Sequence, residues 1–112
     1  MRRSRSQRAP SGARTLNTMK QLSHEPDAKR YVLRIDGTVV AVADYNINGN
    51  QISFHHTFTN PMFRNKGYAA EVVEFAVDDV EKNTTYRVLP MCWYVADWFE
   101  AHSEREGLLR RA

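Results

Sequence analysis

One short basic turn constrains this chain more than any other segment. It runs Arg64-Asn65-Lys66-Gly67-Tyr68-Ala69 and lies between an alternating apolar run, 51–59, and a run of helical periodicity, 68–82. The pattern predicts a strand, a turn and a helix in that order. The first N–H groups of a helix lack partners inside it, and its dipole makes that end locally positive. The segment is therefore typical of a phosphate site, although an ordinary solvated basic loop fits the pattern alone equally well.

The rest of the chain predicts an α/β (α+β) domain with a central mixed sheet. Residues 31–35, 38–45 and 51–59, separated by turns at Asp36-Gly37 and Asn48-Gly49-Asn50, indicate a three-stranded antiparallel meander. The helix over 68–82, a strand over 85–89 and a second helix over 92–102 complete a β-α-β-α unit. A right-handed crossover then places the first helix start at the carboxyl end of the third strand, where open α/β sheets bind ligands.

The charges are distributed unevenly. Residues 1–20 carry six basic and no acidic side chains and few large apolar ones, which predicts a disordered tail. Residues 21–112 are expected to form one compact domain with a net charge of −3. Because the basic excess lies in the tail and not on the domain, the sequence argues against a nucleic-acid partner. The longest apolar run is too short to cross a membrane, and a lone cysteine favours a cytoplasmic location.

Cys92 is the first candidate for chemistry. It follows Pro90 at the start of the second predicted helix, a position that favours the thiolate. The end of the fourth strand should lie near the end of the third, so the thiol is expected beside the end of that third strand. Three roles remain open: a nucleophile that forms a covalent intermediate, a general acid, or a small buried hydrophobe.

His56 and Tyr94 are the other candidates. Strict alternation over 51–59 is expected to place His56 with Ile52 and Phe54 on the core face, where a hydrogen-bonded structural histidine is the default. A neutral imidazole there could also act as a general base at neutral pH. Tyr94 belongs to an aromatic run that packs in the core or lines a pocket, and its phenol could act as a general acid. No spacing of His, Cys, Asp and Glu resembles a metal site.

Several of these motifs together resemble a known family. Arg64-x-x-Gly67-x-Ala69 is similar to the acyl-CoA pyrophosphate signature of GNAT acetyltransferases, (Gln/Arg)-x-x-Gly-x-(Gly/Ala). His56-Thr57, Pro90-x-Cys92-x-Tyr94-Val95 and His102 further resemble the compact YjdJ-type branch of that superfamily. The resemblance covers about residues 28–109, with Ala69 standing where glycine is frequent.

This resemblance implies a GNAT-like fold that uses acetyl-CoA as co-substrate, without a metal, to acetylate an amine on a small molecule or a protein. Backbone groups of Thr57, Phe58 and Thr59 would pair with the pantetheine arm. The pyrophosphate would rest on the N–H groups of Arg64, Asn65, Lys66, Gly67, Tyr68 and Ala69. Cys92, His56 and Tyr94 would serve catalysis, with Cys92 also beside the bound thioester. The alternative is a non-catalytic CoA-binding or regulatory module, because so compact a chain leaves little structure for an acceptor pocket.

Overall fold

The computed structural model describes residues 19–112. Their fold is a five-stranded mixed sheet in the order β1-β2-β3-β4-β5, with two α-helices. The elements are β1 (Lys20–Glu25), β2 (Arg30–Ile35), β3 (Thr38–Asn48), β4 (Gln51–Thr59), α1 (Tyr68–Asn83), β5 (Arg87–Pro90) and α2 (Trp93–Ala101). Strands β1 to β4 form an antiparallel meander, and β5 joins β4 in parallel. The predicted α+β class, with its β-α-β-α unit, is confirmed.

Strand β1 adds a fourth strand ahead of the predicted three-stranded meander. It pairs along its whole length with β2, so that Leu22 lies opposite Leu33 and His24 opposite Tyr31. Its first residue, Lys20, and the preceding Met19 fall inside the range expected to be a disordered tail. The rest of that tail prediction concerns residues 1–18, which lie outside the described part of the chain.

Both α-helices pack against one face of the sheet, called here the helical face. Helix α1 buries the apolar stripe that its periodicity predicts, and α2 adds two large aromatic side chains to the same core. The buried residues are Val72, Val73, Ala76, Val77 and Val80 from α1, and Val95, Trp98 and Phe99 from α2. Arg105, in the 3₁₀ segment after α2, donates to Asp78 of α1 at 2.7 Å and so links the two helical regions.

A β-bulge at His55 changes which face the second half of β4 presents. Tyr45 pairs with Phe54 but Asp44 pairs with His56, which leaves His55 without a partner in the ladder. One inserted residue reverses the side-chain parity of everything beyond it. The expectation that His56 shares the core face with Phe54 was therefore wrong, and His56 lies on the opposite face.

That opposite face, called here the open face, carries a row of charged side chains. The row takes one residue from each of the first four strands: Glu25, Arg30, Asp44 and His56. Within residues 19–112, both α-helices pack against the other side of the sheet. The two faces therefore differ in chemistry, and β4 presents functional candidates to both.

Candidate functional site

The basic turn between β4 and α1 has the backbone conformation of an anion-binding loop. Asn65 and Gly67 both adopt left-handed conformations, with φ of 62° and 78°. Alternation of left-handed and ordinary residues turns successive N–H groups toward one concave side. The first helical hydrogen bond runs from Glu71 N to Gly67 O at 3.1 Å. Within residues 19–112, the N–H groups of Tyr68, Ala69 and Ala70 therefore have no carbonyl acceptor and are available to a ligand.

The charges around this turn favour an anion. Arg64 and Lys66 are exposed, and neither forms an ion pair within the described part of the chain. The acidic residue of the first helical turn, Glu71, is held by Lys20 of β1 at 2.9 Å. Since that carboxylate is already paired with a cation, it opposes a bound phosphate less than a free one would. The turn thus combines free N–H groups with two uncompensated cations.

A groove of about 250 Å³ opens beside the turn. Its wall is built from the end of β4, the turn, the start of α1 and one side chain of α2. The lining residues are Thr59, Phe63, Arg64, Asn65, Gly67, Tyr68, Ala69 and Tyr94. Five of the six residues in the predicted phosphate signature therefore line one cavity with Thr59, at the end of β4, and with Tyr94, which lies far from the signature in sequence.

Strands β4 and β5 separate before they reach this groove. Their parallel pairing ends where Phe54 meets Pro90, and the last contact is Cys92 N donating to Phe54 O at 2.8 Å. Asn60 N donates to Val40 O on the other side of β4. Because bonded and non-bonded pairs alternate along an antiparallel ladder, Thr57 and Thr59 turn their backbone groups away from β3. Those groups face the gap that β5 has left.

The backbone of Phe58 does not share this orientation. By the same alternation its N–H and C=O groups point toward Val42 of β3, its partner in the ladder. Its side chain lies on the open face, where it is 44% exposed. Of the three β4 residues expected to offer backbone groups to a ligand, the geometry supports Thr57 and Thr59.

Cys92 lies at the closed end of the gap. It occupies the N-cap position of α2, one residue earlier than the first helical turn, and its carbonyl accepts from Ala96 N at 3.0 Å. Its side chain is half-buried, with Sγ 3.6 Å from the Thr57 hydroxyl of β4. The fold therefore brings the thiol to the exposed edge of β4, as the sequence predicted, and a reacting group in the gap would lie between the two strands.

Tyr94 stands between the gap and the basic turn. It is half-buried near the start of α2 and lines the same groove as Gly67 and Ala69. Burial raises the pKa of its phenol above the ordinary value of 10.0. The hydroxyl is therefore protonated at neutral pH and can donate a proton. The two tryptophans of the same helix differ in burial: Trp98 packs in the core, whereas Trp93 is 74% exposed.

His56 has a partner that the sequence did not reveal. Its Nδ1 lies 2.9 Å from Oδ2 of Asp44 on β3, and its side chain is 58% exposed on the open face. The hairpin register from Asn48 and Gln51 would pair Asp44 with His55, so the bulge is what selects His56. No pattern in the sequence marks the bulge, and Asp44 could be found only once the strands were paired.

Two other histidines, His102 and His24, make contacts that stabilise the fold. His102 closes α2, since its Nδ1 lies 2.7 Å from Trp98 O and its ring stacks on the Trp98 indole. His24 contacts Tyr45 through Nε2 at 2.6 Å. Among residues 19–112, no three metal-ligating side chains gather into a cluster. In the same region, no helix has the length and apolar character needed to cross a membrane.

The fold and this site define a class: a small α+β domain in which two parallel strands part beside a helix-capping anion turn. A family model described as GCN5-related N-acetyl-transferase matches residues 30–108. The match spans every element from β2 to the segment after α2, and the chain belongs to this family. No curated protein matches the sequence.

Proposed function

We propose that this protein transfers an acetyl group from acetyl-CoA to an amine, and that it stands with the compact YjdJ-type members of its family. One observation carries the proposal. The gap between β4 and β5 leads from the Cys92 thiol, past Thr57 and Thr59, to the anion turn at the start of α1. Family membership supports acetyl transfer in general, and this succession of groups along the edge of β4 supports a long thioester with a phosphorylated end.

The residues fit such a substrate from end to end. The N–H groups at the start of α1, with Arg64 and Lys66, would hold the pyrophosphate. Thr57 and Thr59 have unpaired backbone groups on an open strand edge, which is the means by which an extended amide-containing chain adds to a sheet. The thioester would then lie at the closed end of the gap, near Cys92 Sγ and the Thr57 hydroxyl.

The chemistry requires a proton acceptor on one side and a proton donor on the other. The amine nitrogen bonds to the thioester carbonyl carbon while the carbon–sulfur bond breaks. His56, or a water, takes the proton from the nitrogen. Tyr94 is protonated at neutral pH and lines the groove, so it is suited to give a proton to the departing thiolate. Cys92 would assist at the same point, without forming a covalent intermediate.

The location that fits best is the cytoplasm, where acetyl-CoA is available and a lone free cysteine stays reduced. The acceptor is a small-molecule or protein amine. The net charge of −3 on residues 21–112 favours a cationic acceptor, since opposite charges raise the encounter rate.

Titration with acetyl-CoA, followed by calorimetry and by amide chemical shifts, tests the substrate. We expect the largest shifts at residues 57–59 and 64–70. The double variant Arg64→Ala/Lys66→Ala should weaken binding by about tenfold to a hundredfold, because two charge-assisted contacts are lost. The control Lys29→Ala/Lys82→Ala removes two exposed cations elsewhere and should bind normally. Binding that is equal in the two double variants would contradict the assignment of the turn.

Release of free CoA thiol in the presence of amines distinguishes an enzyme from a binding module. We expect acetyl transfer to at least one of a blocked lysine peptide, spermidine and phenethylamine. Tight acetyl-CoA binding without transfer to any of them would favour the non-catalytic CoA-binding module instead.

A further inference from the structure

A histidine and a carboxylate form a pair on the open face, directly behind the proposed thioester site. His56 Nδ1 and Asp44 Oδ2 are 2.9 Å apart. The imidazole is 58% exposed, so its other nitrogen reaches solvent. Arg30 neighbours Asp44 across the sheet, but its guanidinium donates to Glu25 at 2.9 Å. Arg34 also donates to Glu25, at 2.7 Å. Within residues 19–112 the hydrogen-bond partner of the Asp44 carboxylate is therefore His56.

The Asp44 carboxylate determines which tautomer the neutral His56 imidazole adopts. An ionised carboxylate can only accept, so Nδ1 must carry the hydrogen in this bond. In the neutral imidazole the lone pair is then on Nε2, which points away from Asp44 and is free to accept a proton. A carboxylate that holds a histidine in this tautomer and orientation is the arrangement that makes histidine an effective general base.

The pair is next to the gap in sequence and opposite Cys92 in space. His56 and Thr57 are consecutive, so their side chains leave β4 on opposite faces. The Thr57 side chain contacts Cys92 on the helical face, whereas His56 lies on the open face with Asp44. A thioester lying in the plane of the sheet would thus have the histidine on one side and the Cys92 and Tyr94 region on the other.

We infer that Asp44 is a positioning residue for His56, and that the acceptor amine approaches from the open face. This inference rests on the proposed acetyl transfer. The neutral amine forms the new carbon–nitrogen bond from that face and passes one proton to Nε2 of His56, which later releases it to water. The carbon–sulfur bond breaks toward the helical face, where Tyr94 protonates the thiolate and regains a proton from solvent. Addition and departure then use different sides of the sheet.

Steady-state kinetics on matched variants test this assignment, with acetyl-CoA and the panel of three amines as probes. His56→Ala should lower kcat by about a hundredfold. Asp44→Asn should lower kcat by roughly tenfold, because the amide can donate to Nδ1 as well as accept from it and so no longer fixes the ring in the Nδ1–H form. Neither change should alter the KM for acetyl-CoA, since both side chains lie away from the anion turn and its groove.

Two controls isolate the pair from general effects on the open face. His55→Ala removes the neighbouring exposed histidine, which is the bulge residue, and Asp27→Asn removes an exposed carboxylate that lies outside the charged row. Both should keep kcat within about twofold of the parent protein, as surface substitutions commonly do. Losses in these controls equal to those of His56→Ala and Asp44→Asn would overturn the assignment.

A spectroscopic readout separates positioning from folding. Nitrogen-15 shifts of the neutral His56 ring should report the Nδ1–H form in the parent protein, and Asp44→Asn should reduce its population. An Nε2–H ring in the parent protein would overturn the inference.

The results also separate the two proposals. Failure of the parent protein to bind acetyl-CoA would remove the proposed function and the inference with it. A parent protein that binds acetyl-CoA and transfers its acetyl group, together with a fully active Asp44→Asn variant, would overturn the inference alone.

Discussion

The anion turn depends on single residues that adopt uncommon backbone angles. Gly67 has a φ of 78° at the N-cap of α1, and a Cβ built there would meet no atom within 4 Å. Gly67→Ala should therefore destabilise the fold by about 1–2 kcal/mol through left-handed strain alone, without a steric clash. It should also weaken acetyl-CoA binding, because relief of the strain moves the N–H groups of the turn. Urea unfolding and calorimetry measure the two effects.

Gly107 provides the control for this substitution. A Cβ at Gly107 also meets no atom within 4 Å, and its φ is outside the left-handed range. Gly107→Ala should leave both the free energy of unfolding and the affinity for acetyl-CoA close to those of the parent protein. If the two variants behave alike, the left-handed backbone at Gly67 is not what shapes the turn.

Cys92 is the residue whose role kinetics can decide. If the amine attacks the thioester directly, incubation with acetyl-CoA alone should leave the mass of the protein unchanged. Cys92→Ala should lower kcat by about tenfold to a hundredfold, the range of a lost proton donor. Cys92→Ser should lower kcat less than Cys92→Ala does, because the serine hydroxyl preserves the contact with Thr57. A stoichiometric mass gain of one acetyl group that Cys92→Ala abolishes would instead establish a ping-pong path.

The positions of some of these residues could be predicted from the sequence, and those of others could not. Gly67, Cys92 and Tyr94 lie at helix starts, where short-range signals such as glycine and Pro90 determine the local structure. Their positions in the structure agree with those signals. His56 and Asp44 depend on strand pairing twelve residues apart. Pairing at that separation is decided by the register of the whole hairpin, which local composition does not encode.

Helix α1 is fastened at its C-terminal end by the last arginine of the chain. The Arg111 guanidinium donates to four carbonyl oxygens at distances of 2.9–3.4 Å, those of Val80, Glu81, Thr84 and Tyr86. Carbonyls at a helix end lack intrahelical partners, and a cation there also complements the dipole. Arg111→Ala should lower the free energy of unfolding by about 1–3 kcal/mol, as measured by urea denaturation.

Arg110 offers a matched control one residue away. Its side chain is 76% exposed, and it reaches Glu106 only at 3.6 Å. Such exposed pairs contribute little, so Arg110→Ala should change stability by less than about 0.5 kcal/mol. Equal losses in the two variants would show that terminal charge, and not the cap on α1, is responsible.

The helices and strands could be predicted from the sequence where apolar residues recur at regular spacing, and were missed where they do not. Helix α1 was predicted over 68–82 and runs to Asn83, because five buried residues repeat at helical spacing. Strand β1 was missed, since its sequence KQLSHE carries only one aliphatic residue and most of its residues are exposed. Backbone pairing with β2 holds β1 in the sheet, and the composition of β1 alone does not indicate that pairing. The β4 bulge was missed because strict alternation in the sequence mimics a regular strand.

At the scale of the whole molecule, one polar network ties α1 to the sheet. The Tyr31 hydroxyl of β2 donates to Asp79 of α1 at 2.7 Å, and Asn83 donates to the other oxygen at 2.7 Å. His24 of β1 stacks on Tyr31 and lies 3.6 Å from the same carboxylate. These contacts position α1 over β1 and β2, and thereby hold the turn at its start in line with the β4–β5 gap.

This network predicts how stability depends on pH. Burial alone would raise the pKa of Asp79, but donation from Tyr31 and Asn83 and the proximity of His24 lower it below 3.8. A depressed carboxyl pKa contributes stability that is present above that ordinary value and lost as the pH falls through the folded one. Burial, then the bond to Asp79, raises the pKa of Tyr31 above 10.0. That contribution is present below the ordinary value and is lost as the pH rises beyond it.

Two substitutions should therefore flatten opposite ends of the stability profile. Asp79→Asn should reduce the loss of unfolding free energy below about pH 4, and Tyr31→Phe should reduce the loss above about pH 10. Tyr31→Phe should also cost about 1–3 kcal/mol at neutral pH, because it removes a hydrogen bond to a charged group. Urea denaturation across the pH range measures all three effects.

Asp97→Asn, at an exposed carboxylate of α2, should leave the acid limb unchanged. If Asp97→Asn reduces the loss of stability at acid pH as much as Asp79→Asn does, that loss reflects general surface charge and not the network around Asp79.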